Sequence, residues 1–203
     1  DALESVYASV FHAEKALVRP HIVSGTHAIS TTLFGLLRPD DELIYITGTP
    51  YDTLLEVIGV AGDGIGSLKE YNIGYKEVAL KENGSVDFDG IKKALTDKTK
   101  VIAIQRSRGY DSRPSFTVEQ IGEMIRFVKE IDDNLVVFVD NCYGEFAEEM
   151  EPTDVGADIM AGSLIKNPGG GIAKTGGYIV GREELVEKVS YRLTTPGVGG
   201  EGG

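Results

Sequence analysis

Two residues in this 203-residue chain stand where their chemistry would be costly unless something answers it. Asp140 ends the wholly apolar run Leu135-Val-Val-Phe-Val, so the pattern puts a carboxylate at the tip of a buried strand. A carboxylate taken out of water needs a cation or hydrogen-bond donors around it. Lys166 follows 26 residues later, in Gly162-Ser-Leu-Ile-Lys-Asn-Pro-Gly-Gly-Gly, just past another apolar segment. From a neighbouring strand its amine can reach the same ligand, form an imine with a carbonyl and then carry protons. Each residue also has a plainer reading. Asp140 could be a helix cap or a structural carboxylate, and Lys166 a solvated residue before a glycine-rich turn. Their order and spacing together favour a shared ligand.

Pyridoxal phosphate (PLP) would use both groups, because its pyridinium N–H needs an anionic partner and its aldehyde an amine. A phosphate site is also present in the pattern. Ser24-Gly-Thr-His precedes a helix whose free N–H groups and dipole attract an anion. Gly25 lets the backbone approach closely, and Thr26 and Ser163 add hydroxyls; a simple N-cap is the plainer reading of the same motif. Lys174, in Gly-Ile-Ala-Lys-Thr-Gly-Gly, is the rival amine, but it lacks the preceding serine and Lys166 is preferred.

The elements that must position these residues alternate. Helices are expected at about Leu3–Leu17, Ala28–Leu37, Thr53–Val60, Phe88–Leu95 and Glu183–Leu193. In the first, Leu3, Val6, Tyr7, Val10, Phe11 and Leu17 would share a buried face. Thr117-Val-Glu-Gln reads as a capping box, opening a helix with the stripe Val118, Ile121, Met124, Ile125 and Val128. Strands are expected at Glu42–Thr47, Tyr75–Leu80, Val101–Ile104, Leu135–Asp140, Asp158–Ser163 and Gly177–Val180, and glycine-rich Gly59–Gly66 as a mobile loop. Such alternation implies one domain with a three-layer α/β/α architecture and a mostly parallel sheet. Ligands gather at the carboxyl ends of such strands. The polar groups at Ser24–Thr26, Arg106–Tyr110, Asp140 and Ser163–Lys166 all fall there.

Composition excludes several classes. A net charge of −12 argues against a nucleic-acid partner. Cys142 is the only cysteine, which rules out an internal disulfide and a cysteine metal cluster, and His12, His21 and His27 show no metal-ligand spacing. No apolar run reaches the ~18 residues of a membrane span, and a cytoplasmic location is the default expectation. Gly62-Asp-Gly-Ile-Gly lacks the spacing of a dinucleotide fingerprint or a phosphate loop, which weighs against a non-catalytic nucleotide-binding module.

Four segments together resemble the fold-type I PLP enzymes of the cysteine and methionine branch. The nearest group is that called methionine gamma-lyase-like or aluminium resistance proteins. They are Ser24-Gly-Thr-His-Ala-Ile, Gln105-Arg-Ser-Arg-Gly-Tyr, Val139-Asp-Asn-Cys-Tyr-Gly-Glu-Phe and Ser163-Leu-Ile-Lys-Asn-Pro-Gly-Gly-Gly. The resemblance implies phosphate-binding amides at Gly25 and Thr26, and a ring-stacking tyrosine, best matched by Tyr51. It matches Ser163 and Lys166 to a Ser-x-Thr-Lys motif in which Ile165 replaces the threonine. The asparagine expected beside the ring hydroxyl is replaced near Tyr110. Tyr143, three residues after Asp140, is instead similar to the aminotransferase pattern in which a tyrosine bonds that hydroxyl.

The resemblance implies a carbon–sulfur lyase that performs β- or γ-elimination on a sulfur-containing amino acid such as cystathionine or methionine. Lys166, assisted by Tyr51, would move the α-proton while Asp140 supports the ring. An aminotransferase is the enzymatic alternative. It further implies that residues 1–203 are the large PLP-binding domain of a longer chain with a smaller C-terminal domain. That domain would supply the arginine for the substrate carboxylate, and the whole would assemble as a homodimer or homotetramer.

Overall fold

The structure is a computed structural model, which describes residues 1–109, 112–113 and 115–202. Helix α1 spans Ala2–Val10 and is closed at its start by a reciprocal capping box between Asp1 and Glu4. Strand β1, Lys15–Leu17, follows; then come α2 (Gly25–Leu36), β2 (Glu42–Tyr45), α3 (Asp52–Ile58) and β3 (Gly74–Glu77). The chain continues through α4 (Phe88–Ala94), β4 (Thr99–Gln105), α5 (Val118–Ile131), β5 (Val136–Asp140), β6 (Ile159–Ser163), β7 (Gly177–Gly181) and α6 (Glu183–Leu193). Residues 59–66 form neither helix nor strand.

The described residues form one seven-stranded sheet in the order β1-β7-β6-β5-β4-β2-β3. Strands β3, β2, β4, β5 and β6 run parallel, and β7 pairs antiparallel with both β6 and the edge strand β1. Alternate residues of the central strands enter two separate cores. Val136 and Phe138 of β5 pack with Ile29 and Leu33 of α2 and Val186 and Val189 of α6. Val137 and Val139 face the other way, against Ile121, Met124, Ile125 and Val128 of α5. A strand buried on both faces cannot alternate with polar residues, which is why β5 reads as an unbroken apolar run. The three-layer, mostly parallel expectation holds.

The expected first helix does not. It ends at Phe11, and His12 enters the left-handed region (φ +50). Residues 15–17 pair with β7, with Lys15 opposite Gly181. In this short strand Leu17 and Ala16 enter opposite cores, so a period of two overrides the helical period read from the sequence. Leu3, Val6 and Val10 stay exposed at 50, 55 and 45%. Glu4 anchors the helix instead, accepting from Arg19 Nε at 2.8 Å and from the Val18 amide at 3.1 Å. Helix α2 starts at Gly25, three residues earlier than expected, because Ser24 caps it: Ser24 Oγ accepts from His27 N at 3.0 Å.

Candidate active site

Register puts Gln105 opposite Asp140 at the carboxyl ends of β4 and β5, and Ala161 beside Asp140 on β6. Asp140 shares the side-chain parity of Val136 and Phe138, so it projects on the α2 side of the sheet. It is 2% exposed, and its Oδ1 accepts from the Cys142 amide at 3.1 Å. Burial pushes its carboxyl above the usual range; the Cys142 hydrogen bonds and the charges of Lys166 and Arg113 pull in the opposite direction. A carboxylate in this position is a receptor for a cationic N–H.

The start of α2 closes on the end of β6. A Cβ at Gly25 would lie 2.8 Å from Ser163 Cβ, so only glycine lets the helix N-terminus approach this closely. Thr26 Oγ1 lies 2.9 Å from the Tyr51 hydroxyl, and the Tyr51 amide donates to Gln105 Oε1 at 3.0 Å. Burial chiefly, with the nearby Asp140 charge, pushes the Tyr51 phenol well above its ordinary range, while the Thr26 bond acts the other way. Tyr51 is therefore a neutral donor at physiological pH.

Past β6, Ser163 Oγ accepts from the Ile165 amide at 3.3 Å, and half-buried Lys166 places Nζ 4.2 Å from the centroid of the Tyr143 ring. A cavity of about 390 Å³ joins these groups, within the ~300–1,000 Å³ typical of small-molecule sites. Its wall includes the eight positions expected to contact the cofactor: Ser24, Gly25, Thr26, Tyr51, Asp140, Tyr143, Ser163 and Lys166. A larger groove of about 440 Å³ lies against Thr47–Thr49 and residues 79–84. It includes neither Asp140 nor Lys166, so convergence of chemistry, and not volume, singles out the site.

Other expectations fare differently. Lys174 is exposed and is not among the residues of the cavity wall. Arg106 turns away from the cavity: its buried guanidinium meets Glu148, Asn141 and the carbonyls of Phe116 and Gly144. Tyr110 lies outside the described residues. Sequence reasoning missed Gln105 as a site residue, although it ends an apolar strand just as Asp140 does. It also missed Asn167, whose side chain bonds backbone across two turns and leaves no periodic trace.

Among the described residues no group of three or more His, Cys, Asp or Glu side chains is placed to hold a metal ion, and no helix is long and apolar enough to cross a membrane.

Comparison with known proteins supplies the context. The uncharacterized protein YnbB of Bacillus subtilis is 64% identical over the whole of this chain and 48% of its own length. L-methionine gamma-lyase of Pseudomonas putida is 27% identical over 92% of this chain and 42% of the enzyme. A carbon-sulfur lyase involved in aluminum resistance from Clostridium novyi superposes with a TM-score of 0.94 at 52% identity, over 99% of this chain and 48% of that one. Cystathionine gamma-lyase of Lactobacillus plantarum, at 22% identity and a TM-score of 0.74 over 95% of this chain and 45% of that one, shares the fold. The chain thus spans about half the length of the relatives it matches. The methionine gamma-lyase family model matches residues 1–203, and the chain belongs to that family.

Proposed function

We propose that this chain binds PLP in the cavity between α2, β5 and β6 and serves a carbon–sulfur lyase acting on a sulfur-containing amino acid. The observation that carries the reading is the convergence on one cavity of a buried strand-end carboxylate, a half-buried lysine and the N-terminus of a twelve-residue helix. These are the three groups that the ring nitrogen, the aldehyde and the phosphate of PLP require. The fit extends to Gly25, where any Cβ would meet Ser163 and push the helix N-terminus away from the end of β6.

When bound, PLP supplies an electron sink for the carbanion generated at Cα of an amino acid. The residues of this chain do the rest. Asp140 accepts the ring N–H and keeps the pyridine nitrogen protonated, and the buried setting strengthens that pair because water does not screen it. Amides at Gly25 and Thr26, with the hydroxyls of Ser24, Thr26 and Ser163, hold the phosphate. Tyr51, in the cavity wall and neutral, would pack against the ring. Lys166 would hold the aldehyde carbon of the cofactor, and its Nζ, when free, would be the base that takes the α-proton and later returns one. The net elimination, with one water consumed to hydrolyse the resulting imine, releases a thiol, ammonia and a keto acid. Tyr143 in the cavity wall, three residues after Asp140, supports the aminotransferase reading as the second possibility.

The test is an absorbance spectrum of the full chain with PLP, followed by borohydride reduction and peptide mapping. A pyridoxyl group on Lys166 is expected; labelling at Lys174 overturns the site, and no labelling overturns the cofactor. Cystathionine or methionine should then yield thiol, ammonia and keto acid, whereas amino transfer to an added keto acid overturns the lyase reading.

A further inference from the structure

One contact near the cavity belongs to neither the cofactor cradle nor the core. Asn167 follows Lys166, and its Nδ2 donates to the carbonyl of Tyr143 at 3.1 Å and to that of Glu145 at 2.8 Å. Lys166 reaches the same turn through the Tyr143 ring. Two consecutive side chains after β6 thus grip the backbone and the ring of one turn after β5. Arg106 holds the Gly144 carbonyl of that turn and Tyr178 the Glu145 carboxyl, but neither bond involves Tyr143. Tyr143 and Phe146 have φ of +67° and +60°, in the left-handed region that bulky residues rarely adopt, and Tyr143 is 60% exposed, with little packing to fix it. Asn167 itself is set by the single 3-10 turn at Asn167–Gly169, which contains Pro168.

We propose that Asn167 is a positioning residue: it clamps the 143–145 turn so that the Tyr143 ring forms a seat for the Lys166 ammonium whenever that amine is not bonded to a ligand. The negative face of the ring attracts the cation, and the seat restricts a four-carbon stem that would otherwise swing freely into water. An isolated tyrosine in the left-handed region would not hold its ring there unaided. The clamp connects the turn after β5 to the turn after β6, and so fixes the resting place of the amine.

The first measurement needs no cofactor, and only the second rests on the reading of Lys166 as the cofactor's lysine. Limited trypsin digestion of the full chain, read by mass spectrometry, compares cleavage after Lys166 with cleavage after exposed Lys174 as an internal reference. Asn167→Ala, which loses two neutral hydrogen bonds, should raise cleavage at Lys166 at least about fivefold relative to Lys174. Tyr143→Leu should raise it about two- to fivefold, while Tyr143→Phe, which keeps the ring, should match the parent. Combining Asn167→Ala with Tyr143→Leu should add nothing beyond the larger single effect, because both act through one seat. The second measurement is the PLP concentration that half-saturates borohydride labelling of Lys166, which should rise in Asn167→Ala and in Tyr143→Leu. A merely structural asparagine would raise cleavage at both lysines together and leave the ring substitutions silent, and that result overturns the proposal. So does Tyr143→Phe behaving like Tyr143→Leu, which would make the hydroxyl the working group. If the parent chain takes up no PLP, the functional reading fails, while the cleavage pattern still decides the clamp.

Discussion

Replacing Glu145 with glutamine should make the protein's stability far less sensitive to pH between about 4.5 and 8. Glu145 is 1% exposed, its Oε1 accepts from the Tyr178 hydroxyl at 2.7 Å, and its Oε2 has no hydrogen-bond partner among the described residues. Burial, opposed by the Tyr178 bond and a backbone bond and assisted by the charges of Asp140 and Glu151, lifts its carboxyl from an ordinary 4.5 to about 7. The folded protein therefore holds a proton that the unfolded chain releases. Stability from this group is fully present below 4.5, falls as pH rises and is lost above about 7. At about 1.4 kcal/mol per pH unit, that interval amounts to roughly 3 kcal/mol. This is a sizeable part of the ~5–15 kcal/mol by which domains are stable. The Glu145→Gln side chain keeps an acceptor for Tyr178 but cannot ionise. Urea unfolding of both proteins at half-unit pH steps should show the variant equal to or slightly less stable than the parent near pH 4.5 and clearly more stable at pH 8. Parallel stability curves across the window would refute the reasoning, because they would mean that Glu145 ionises in the folded state without cost.

Three further outcomes follow from the site and its frame. Asp140→Asn should weaken PLP binding about ten- to hundredfold by equilibrium titration, through loss of a charge-assisted bond, while the cofactor-free protein becomes no less stable because a disfavoured buried charge is gone. Gly25→Ala should lower stability by about 1–3 kcal/mol in chemical denaturation and weaken PLP retention, since its Cβ would sit 2.8 Å from Ser163 Cβ. Thr117→Ala removes the reciprocal cap with Gln120 at the start of α5, on the sheet face opposite Asp140, and should cost about 1 kcal/mol while leaving the PLP affinity unchanged.

Some of this molecule was plain in its sequence. The Val118–Val128 stripe and its Thr117 cap give α5, and the unbroken run before Asp140 gives a strand buried on both faces. In each case the period of the apolar residues is the geometry itself. Lys15–Leu17 shows the limit. Three residues are too few to display a period of two, and Leu3, Val6 and Val10 supplied a helical stripe that the fold leaves facing outward.

The site divides along the same line. Asp140, Lys166 and the Ser24–Thr26 helix start could be selected from the chain alone, because a polar group that interrupts apolar residues at a strand end is costly without a partner. What the sequence left open was which of these residues meet. Strand order brings β5 beside β6 and α2 over both, and that arrangement places Lys166 in the cavity wall, leaves Lys174 outside it and turns Arg106 toward Glu148. Gln105, Asn167 and Glu145 emerged only in three dimensions. Their roles depend on single hydrogen bonds to backbone or side chains brought near by folding, or on burial that no neighbouring residue in the chain encodes.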